Sequence, residues 1–227
     1  MKKAKLSATT STDTEEVYQL RKLVMEGEGQ HLEFKRKVSH PEKIVREMIA
    51  FANSEGGTLL IGVDDDGTLA GVKYPDEELL SVRQALQKHV KQPLVYHDSL
   101  IELSLTKFVL RLDIPPSEKR PLFFTEDSKV RESYVRMNDM SIKASEQMNE
   151  IVRRKRQNKN IRFYFAEHEL TLMKYLDSNK IITLKDFQKL TGLNQFAASR
   201  KLILLVLANV LKITPSEKGD FYSRVEI

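Results

Sequence analysis

Three acidic positions have the spacing most suited to chemistry. Glu28 and Glu33 are separated by Gly29-Gln30-His31-Leu32, and Asp64 opens the run Asp64-Asp65-Asp66-Gly67. Hard divalent cations prefer carboxylate oxygens, so converging carboxylates can hold Mg²⁺ or Mn²⁺ against a scissile phosphate. The same residues have a plain structural reading: Glu28 at a helix end, Glu33 paired with Lys35 or another base, and Asp64 to Gly67 as a solvated turn. The aspartate run is not an EF-hand, because loop position 12 counted from Asp64 is not a glutamate.

Other chemistries lack their residues. There is no cysteine in the 227-residue chain, which removes disulfides, thiolate zinc sites and cysteine nucleophiles. The five histidines show no H-E-x-x-H or paired metal spacing. No G-x-x-x-x-G-K-[ST] string occurs, so the phosphate cradle of a P-loop is missing and ATP hydrolysis is not expected. No cofactor is expected, except Mg or Mn if the three acids are catalytic.

The cations point to a polyanion. The net charge of +5 is unevenly spread: residues 1–150 sum to −3 and residues 151–227 to +8. Lys and Arg neutralise phosphates without reading sequence. Candidate contacts in the first part are Lys35, Arg36, Lys37 and Arg136; in the basic run Arg153-Arg154-Lys155-Arg156 they are all four residues. Beyond it they are Asn194, Gln195, Ser199, Arg200, Lys201, Lys218 and Arg224. Ordinary solvated charge is the competing explanation.

These residues need elements to position them. A helical period from Thr14 ends at Glu26-Gly27, and His31 to Lys35 alternates as a short strand. Pro41 starts a helix running to Asn53, with Ile44, Val45, Met48, Ile49 and Ala52 on one face. The apolar run Thr58 to Val63 predicts a buried strand, and Leu69 to Val72 a short returning one. A helix over about Asp76 to Val90 precedes an antiparallel pair, Ser99 to Leu105 and Phe108 to Ile114. Strands are expected over Leu122 to Thr125 and Ser133 to Met137, and a helix from Ser145 runs into the basic segment. The fold class is α+β: a mixed sheet with flanking helices.

Residues 1–13 read as a flexible tail, 14–150 as the first domain, 151–164 as a self-repelling basic linker and 165–227 as a second domain. The second domain predicts helices over Glu167 to Asn179, Thr183 to Leu190 and Asn194 to Val210. A hairpin, Lys212 to Thr214 with Phe221 to Glu226, follows, which is the winged helix-turn-helix order. The six consecutive apolar residues Leu202 to Leu207 exceed what one helix face hides in a small domain. They predict burial against a partner subunit or the first domain, hence an oligomer, a dimer in the first instance. No stretch is long and apolar enough to span a bilayer, and a soluble, cytoplasmic protein with no membrane partner is expected.

Glu28 to Lys35, Phe51-Ala52-Asn53-Ser54-Glu55-Gly56-Gly57, the strand to Asp64-Asp65-Asp66-Gly67, Gly71 and Ser133-Tyr134-Val135-Arg136 occur in this order. Together they resemble the Schlafen AlbA-like domain family, also described as divergent AAA or RecG-related DNA-binding domains, over roughly residues 15–150. The resemblance implies an α+β nucleic-acid-binding domain. For some relatives it implies a metal-dependent RNA endonuclease with three acids, which map here to Glu28, Glu33 and Asp64. The leading expectation is a DNA-binding transcriptional regulator engaging duplex DNA; the alternatives are that nuclease and a protein-interaction adaptor.

Overall fold

The computed structural model describes residues 14–126, 130–155 and 164–225. The expected tail, 1–13, and Arg156 lie outside the described residues. Helix α1 (Glu15–Met25) starts where the Thr14 hydroxyl accepts the Val17 N–H, and it buries Val17, Leu20 and Val24. Strand β1 (Leu32–Lys35) leads into α2 (Pro41–Asn53), whose first-turn proline is preorganised for a helix. Next come β2 (Gly57–Ile61), α3 (Pro75–His89), β3 (His97–Ser104) and β4 (Lys107–Ile114).

The four strands form one mixed sheet in the order β1-β2-β4-β3, with β1 parallel to β2 and the other pairs antiparallel. Alternation divides its side chains between two cores. Leu59, Ile61, Leu110, Leu112 and Ile114 pack with α2 and α3. Leu32, Phe34, Leu60, Ile101 and Val109 pack with α1 on the other face. Leu69 to Val72 forms no strand: only Val72 makes a bridge, to Phe108. Gly71 lies in the left-handed region (φ 70°) and donates its N–H to the Gly62 carbonyl, which bends the backbone out of extension.

Two hairpins follow, β5 (Phe124–Glu126) with β6 (Val130–Glu132) and β7 (Tyr134–Met137) with β8 (Met140–Lys143). Asn53, at the end of α2 and 3% exposed, fastens them to the helix. Its amide donates to the Leu122 and Tyr134 carbonyls and the Ser133 hydroxyl, and its Oδ1 accepts the Leu122 N–H at 2.6 Å.

Helix α4 (Glu146–Lys155) takes in residues 151–155, which the sequence reading placed in a linker. Glu150 pairs with both Arg153 and Arg154 at 2.5 Å, which offsets the expected self-repulsion. Ile151 and Val152 are buried.

The C-terminal unit comprises α5 (Glu167–Asn179), β9 (Ile181–Thr183), α6 (Leu184–Thr191), α7 (Gln195–Leu207), β10 (Leu211–Thr214) and β11 (Phe221–Arg224). Its three strands form a sheet ordered β10-β11-β9. The apolar run on α7 is covered within the chain. Leu202, Ile203, Leu205 and Val206 are buried together with Leu172 and Leu176 of α5, Phe187 of α6 and Ile151 of α4. The run therefore needs no second copy to hide it. Helix α7 ends at Leu207, three residues short of the expected Val210, and Asn209, at φ 58°, turns the backbone there.

Candidate nucleic-acid interface

At the C-terminal end of β1 the chain leaves the sheet through Arg36, Lys37, Val38, Ser39 and His40 before α2 begins. Lys35, Arg36, Lys37 and Lys43 border one recess there. Arg36 and Lys37 also border a second recess of about 440 Å³, whose other wall bears Lys73 and Lys107. The β2-to-α3 loop and the β3–β4 turn supply those two lysines. Their closeness follows from local packing: Val72 and Phe108 exchange backbone hydrogen bonds of 2.7 and 3.0 Å. A Cβ on Gly71 would stand 2.8 Å from the Lys107 Cβ, so the close approach requires glycine at this position.

Six cations from four separate segments thus share one rim. Two are neutralised in place: Lys35 by Glu33, and Arg36 by Asp64 at 3.4 Å. Lys37, Lys43, Lys73 and Lys107 are exposed and form no ion pair among the described residues.

Arg136 is not on a surface, which corrects its reading as a phosphate contact. Its side chain is fully buried against two carboxylates, Glu33 at 3.0 Å and Glu47 at 2.9 Å. Nη1 also donates to the Ser141 hydroxyl, Nη2 donates to the Gly29 carbonyl at 2.7 Å, and the guanidinium lies 4.6 Å from the Phe51 ring centroid. A buried charge requires such partners. The Tyr134-Val135-Arg136 string thereby joins β7 to β1 and α2. Glu47 was not singled out in the sequence. Burial pushes its carboxyl above the ordinary range, the Ser141 hydroxyl and Arg136 work in the opposite direction, and Glu33 adds to the rise.

The acids do not assemble a cation site. Glu33 is 5% exposed and gives one oxygen to Lys35 and the other to Arg136. Glu28 accepts the Phe34 N–H at 2.8 Å. Its carboxyl is raised, first by desolvation and also by Glu33 and Asp65, while the Phe34 N–H lowers it. Asp64 sits in a turn with its N–H on the Thr68 carbonyl, and its carboxylate faces Arg36. The structure brings Glu28 and Glu33 together, but no group of three His, Asp or Glu able to hold a metal exists among the described residues. Gly56-Gly57 does not form a phosphate nest: a Cβ on Gly57 would lie 2.3 Å from the Phe51 ring, so the turn is filled by that side chain.

In the C-terminal unit the expected contacts divide. The Asn194 side chain caps α7 by accepting the Ala197 N–H at 2.9 Å. Ser199 accepts a hydrogen bond from Gln147 of α4, and Lys201 pairs with the buried Glu169 at 2.5 Å. Burial opposes ionisation of Glu169, but Lys201 and the Ala166 N–H outweigh it and hold its carboxyl below the usual range. Arg224 pairs with Asp177, and Arg153 and Arg154 are held by Glu150. Gln195, Arg200 and Lys218 are exposed without such side-chain partners among the described residues, and Phe196 is 76% exposed. Lys155 borders the cleft between the two units. Sequence reasoning missed Lys43, Lys73 and Lys107, since only the fold brings these scattered lysines beside Lys37.

The fold and its rim define an α+β domain, a sheet between helical layers with a cationic edge, carrying a smaller helical unit with a three-stranded sheet. The chain belongs to the Schlafen AlbA_2 family, whose model matches residues 28–145, more than half of the chain. That family is associated with nucleic-acid binding. Among solved structures, the N-terminal domain of a RecG-related protein from Nitrosomonas europaea is 24% identical. The match covers 48% of this chain and 80% of that one, with a TM-score of 0.40. The DIP2311 protein from Corynebacterium diphtheriae is 15% identical over 86% of this chain and 34% of that one, also at 0.40, so this chain spans about a third of its length. No curated protein matches. No helix among the described residues is long and apolar enough to cross a membrane.

Proposed function

We propose that the protein binds duplex DNA as a transcriptional regulator, its AlbA_2 domain supplying a phosphate-binding rim and its C-terminal unit acting as a winged helix-turn-helix. The observation that carries this reading is the placement of Lys37, Lys43, Lys73 and Lys107, exposed and without an ion pair among the described residues, around two adjoining recesses that share Arg36 and Lys37. Glu77 and Glu78 also border the second recess, but the cations around the two recesses outnumber them, and a polyanion is the ligand that meets several at once. The order helix, strand, helix, helix, hairpin supports a winged helix. Its α7 offers Gln195 and Arg200 to base edges or phosphates, with Lys218 at the hairpin turn.

The test is fluorescence anisotropy with a labelled duplex over a range of salt. Binding is expected at low salt and should weaken linearly in log–log form, because neutralised phosphates release counterions. Joint replacement of Lys37 and Lys107 by Ala should lower the slope by about 2, roughly 0.9 per lost phosphate contact. An absence of binding at low salt, or an unchanged slope, refutes the proposal.

A further inference from the structure

The loop entering α3 carries an aromatic ring into the same recess. Tyr74 is 56% exposed and borders the hollow together with Lys37, Lys73 and Lys107. The fold makes little use of this ring. Tyr74 is the capping residue of α3 yet makes no side-chain capping hydrogen bond, and it belongs to none of the buried cores. Among the described residues its ring meets a cation, the Lys73 ammonium 5.1 Å from the centroid. Glu77 and Glu78 also border the hollow, but Glu78 is turned inward, accepting the Val38 N–H at 2.6 Å.

An aromatic face among lysines suits unpaired bases. Single strands bind where cations track the backbone and bases stack on aromatic rings, whereas a duplex keeps its base faces stacked and hidden. The open hollow of about 440 Å³ gives room for one extruded nucleoside to lie against the ring. We infer that this recess binds single-stranded nucleic acid, an unpaired base stacking on Tyr74 while neighbouring phosphates meet Lys37, Lys73 and Lys107. The inference rests on the nucleic-acid reading of the rim and adds that its second recess also takes an unpaired strand. The rim lysines then meet phosphates of either form, whereas only an unpaired base reaches the Tyr74 ring.

The experiment uses the full chain with labelled oligo-dT and oligo-U of about ten nucleotides, a length spanning typical single-strand sites. A duplex of the same label forms the third arm. Tyr74→Ala should weaken single-strand binding roughly tenfold, within the range for losing one stacked base, while leaving duplex binding unchanged. Tyr74→Phe, which keeps the ring, should stay within about twofold of wild type. Thermal melting checks that both variants fold. Binding of either oligonucleotide upholds the site, and the stronger one identifies the preferred sugar. The inference is overturned if the wild type binds neither, if Tyr74→Ala matches wild type, or if that variant weakens duplex binding equally. Duplex binding that fails while single-strand binding persists overturns the duplex proposal alone.

Discussion

Replacing Arg136 by Met separates a structural arginine from a phosphate contact. The guanidinium is the counter-charge for Glu33 and Glu47 and satisfies the Gly29 carbonyl and Ser141. Met fills much of the same volume but supplies neither charge nor donor, and removing one partner of a buried pair costs about 3–5 kcal/mol. Lys35 still pairs with Glu33, so most of the penalty falls on Glu47. At about 2–4 °C per kcal/mol for a chain of this size, melting should fall by about 6–20 °C. Circular dichroism melts and urea titrations measure both quantities. A second substitution, Glu47→Gln, removes the stranded carboxylate and should restore part of the loss, because deleting both partners of a buried pair costs less than deleting one. Unchanged stability with weakened nucleic-acid binding would refute the buried-lock assignment and return Arg136 to the surface role its sequence position suggests.

Two further perturbations probe the same region. Asn53→Ala strips four hydrogen bonds from the junction between α2 and the hairpins, leaving the Leu122 N–H and buried carbonyls without partners. A loss of about 2–4 kcal/mol in urea denaturation is expected, and a loss under about 1 kcal/mol would show that water replaces the amide. Glu47 gives a pH signature. Its folded-state carboxyl is raised above 4.5, so the native state binds the proton more tightly than the unfolded chain does. Its contribution is therefore most favourable below the unfolded value and is lost as pH rises through the folded one. On moving from pH 7 toward 5, wild type should gain stability relative to Glu47→Gln; a parallel pair of pH profiles would contradict the burial argument.

Periodicity and punctuation made most of the framework legible. The Pro41 start, the Asn53 end, the central apolar strand and the three helices and hairpin of the C-terminal unit depend on local signals, and these survive folding; the short strand Ile181–Thr183 between its first two helices is not among the elements that the sequence predicts. Leu69 to Val72 misled because its apolar pattern did not reveal that Gly71 turns the chain. The linker reading failed for residues 151–155, where charge concealed the stripe Met148, Ile151 and Val152. Site residues were hardest where charge has two uses. Arg136 looks like any strand-end arginine until Glu33 and Glu47, distant in sequence, close around it. Lys73 and Lys107 carry no signal at all until the sheet brings them to Lys37.

Helix α4 has consequences for dissecting the chain. It emerges from the β7–β8 hairpin, yet Ile151 completes the hydrophobic interior of the C-terminal unit, while Ser145 donates to Asp220 across the junction. A cut at residue 164 takes that side chain from the C-terminal fragment and leaves it exposed on the other, and a cut at residue 150 divides α4 itself. A piece that keeps the C-terminal interior whole begins before Glu146, upstream of the boundary that composition draws. Fragments made at the compositional boundary would report on a damaged core, and an inactive one would say nothing about which surface touches nucleic acid.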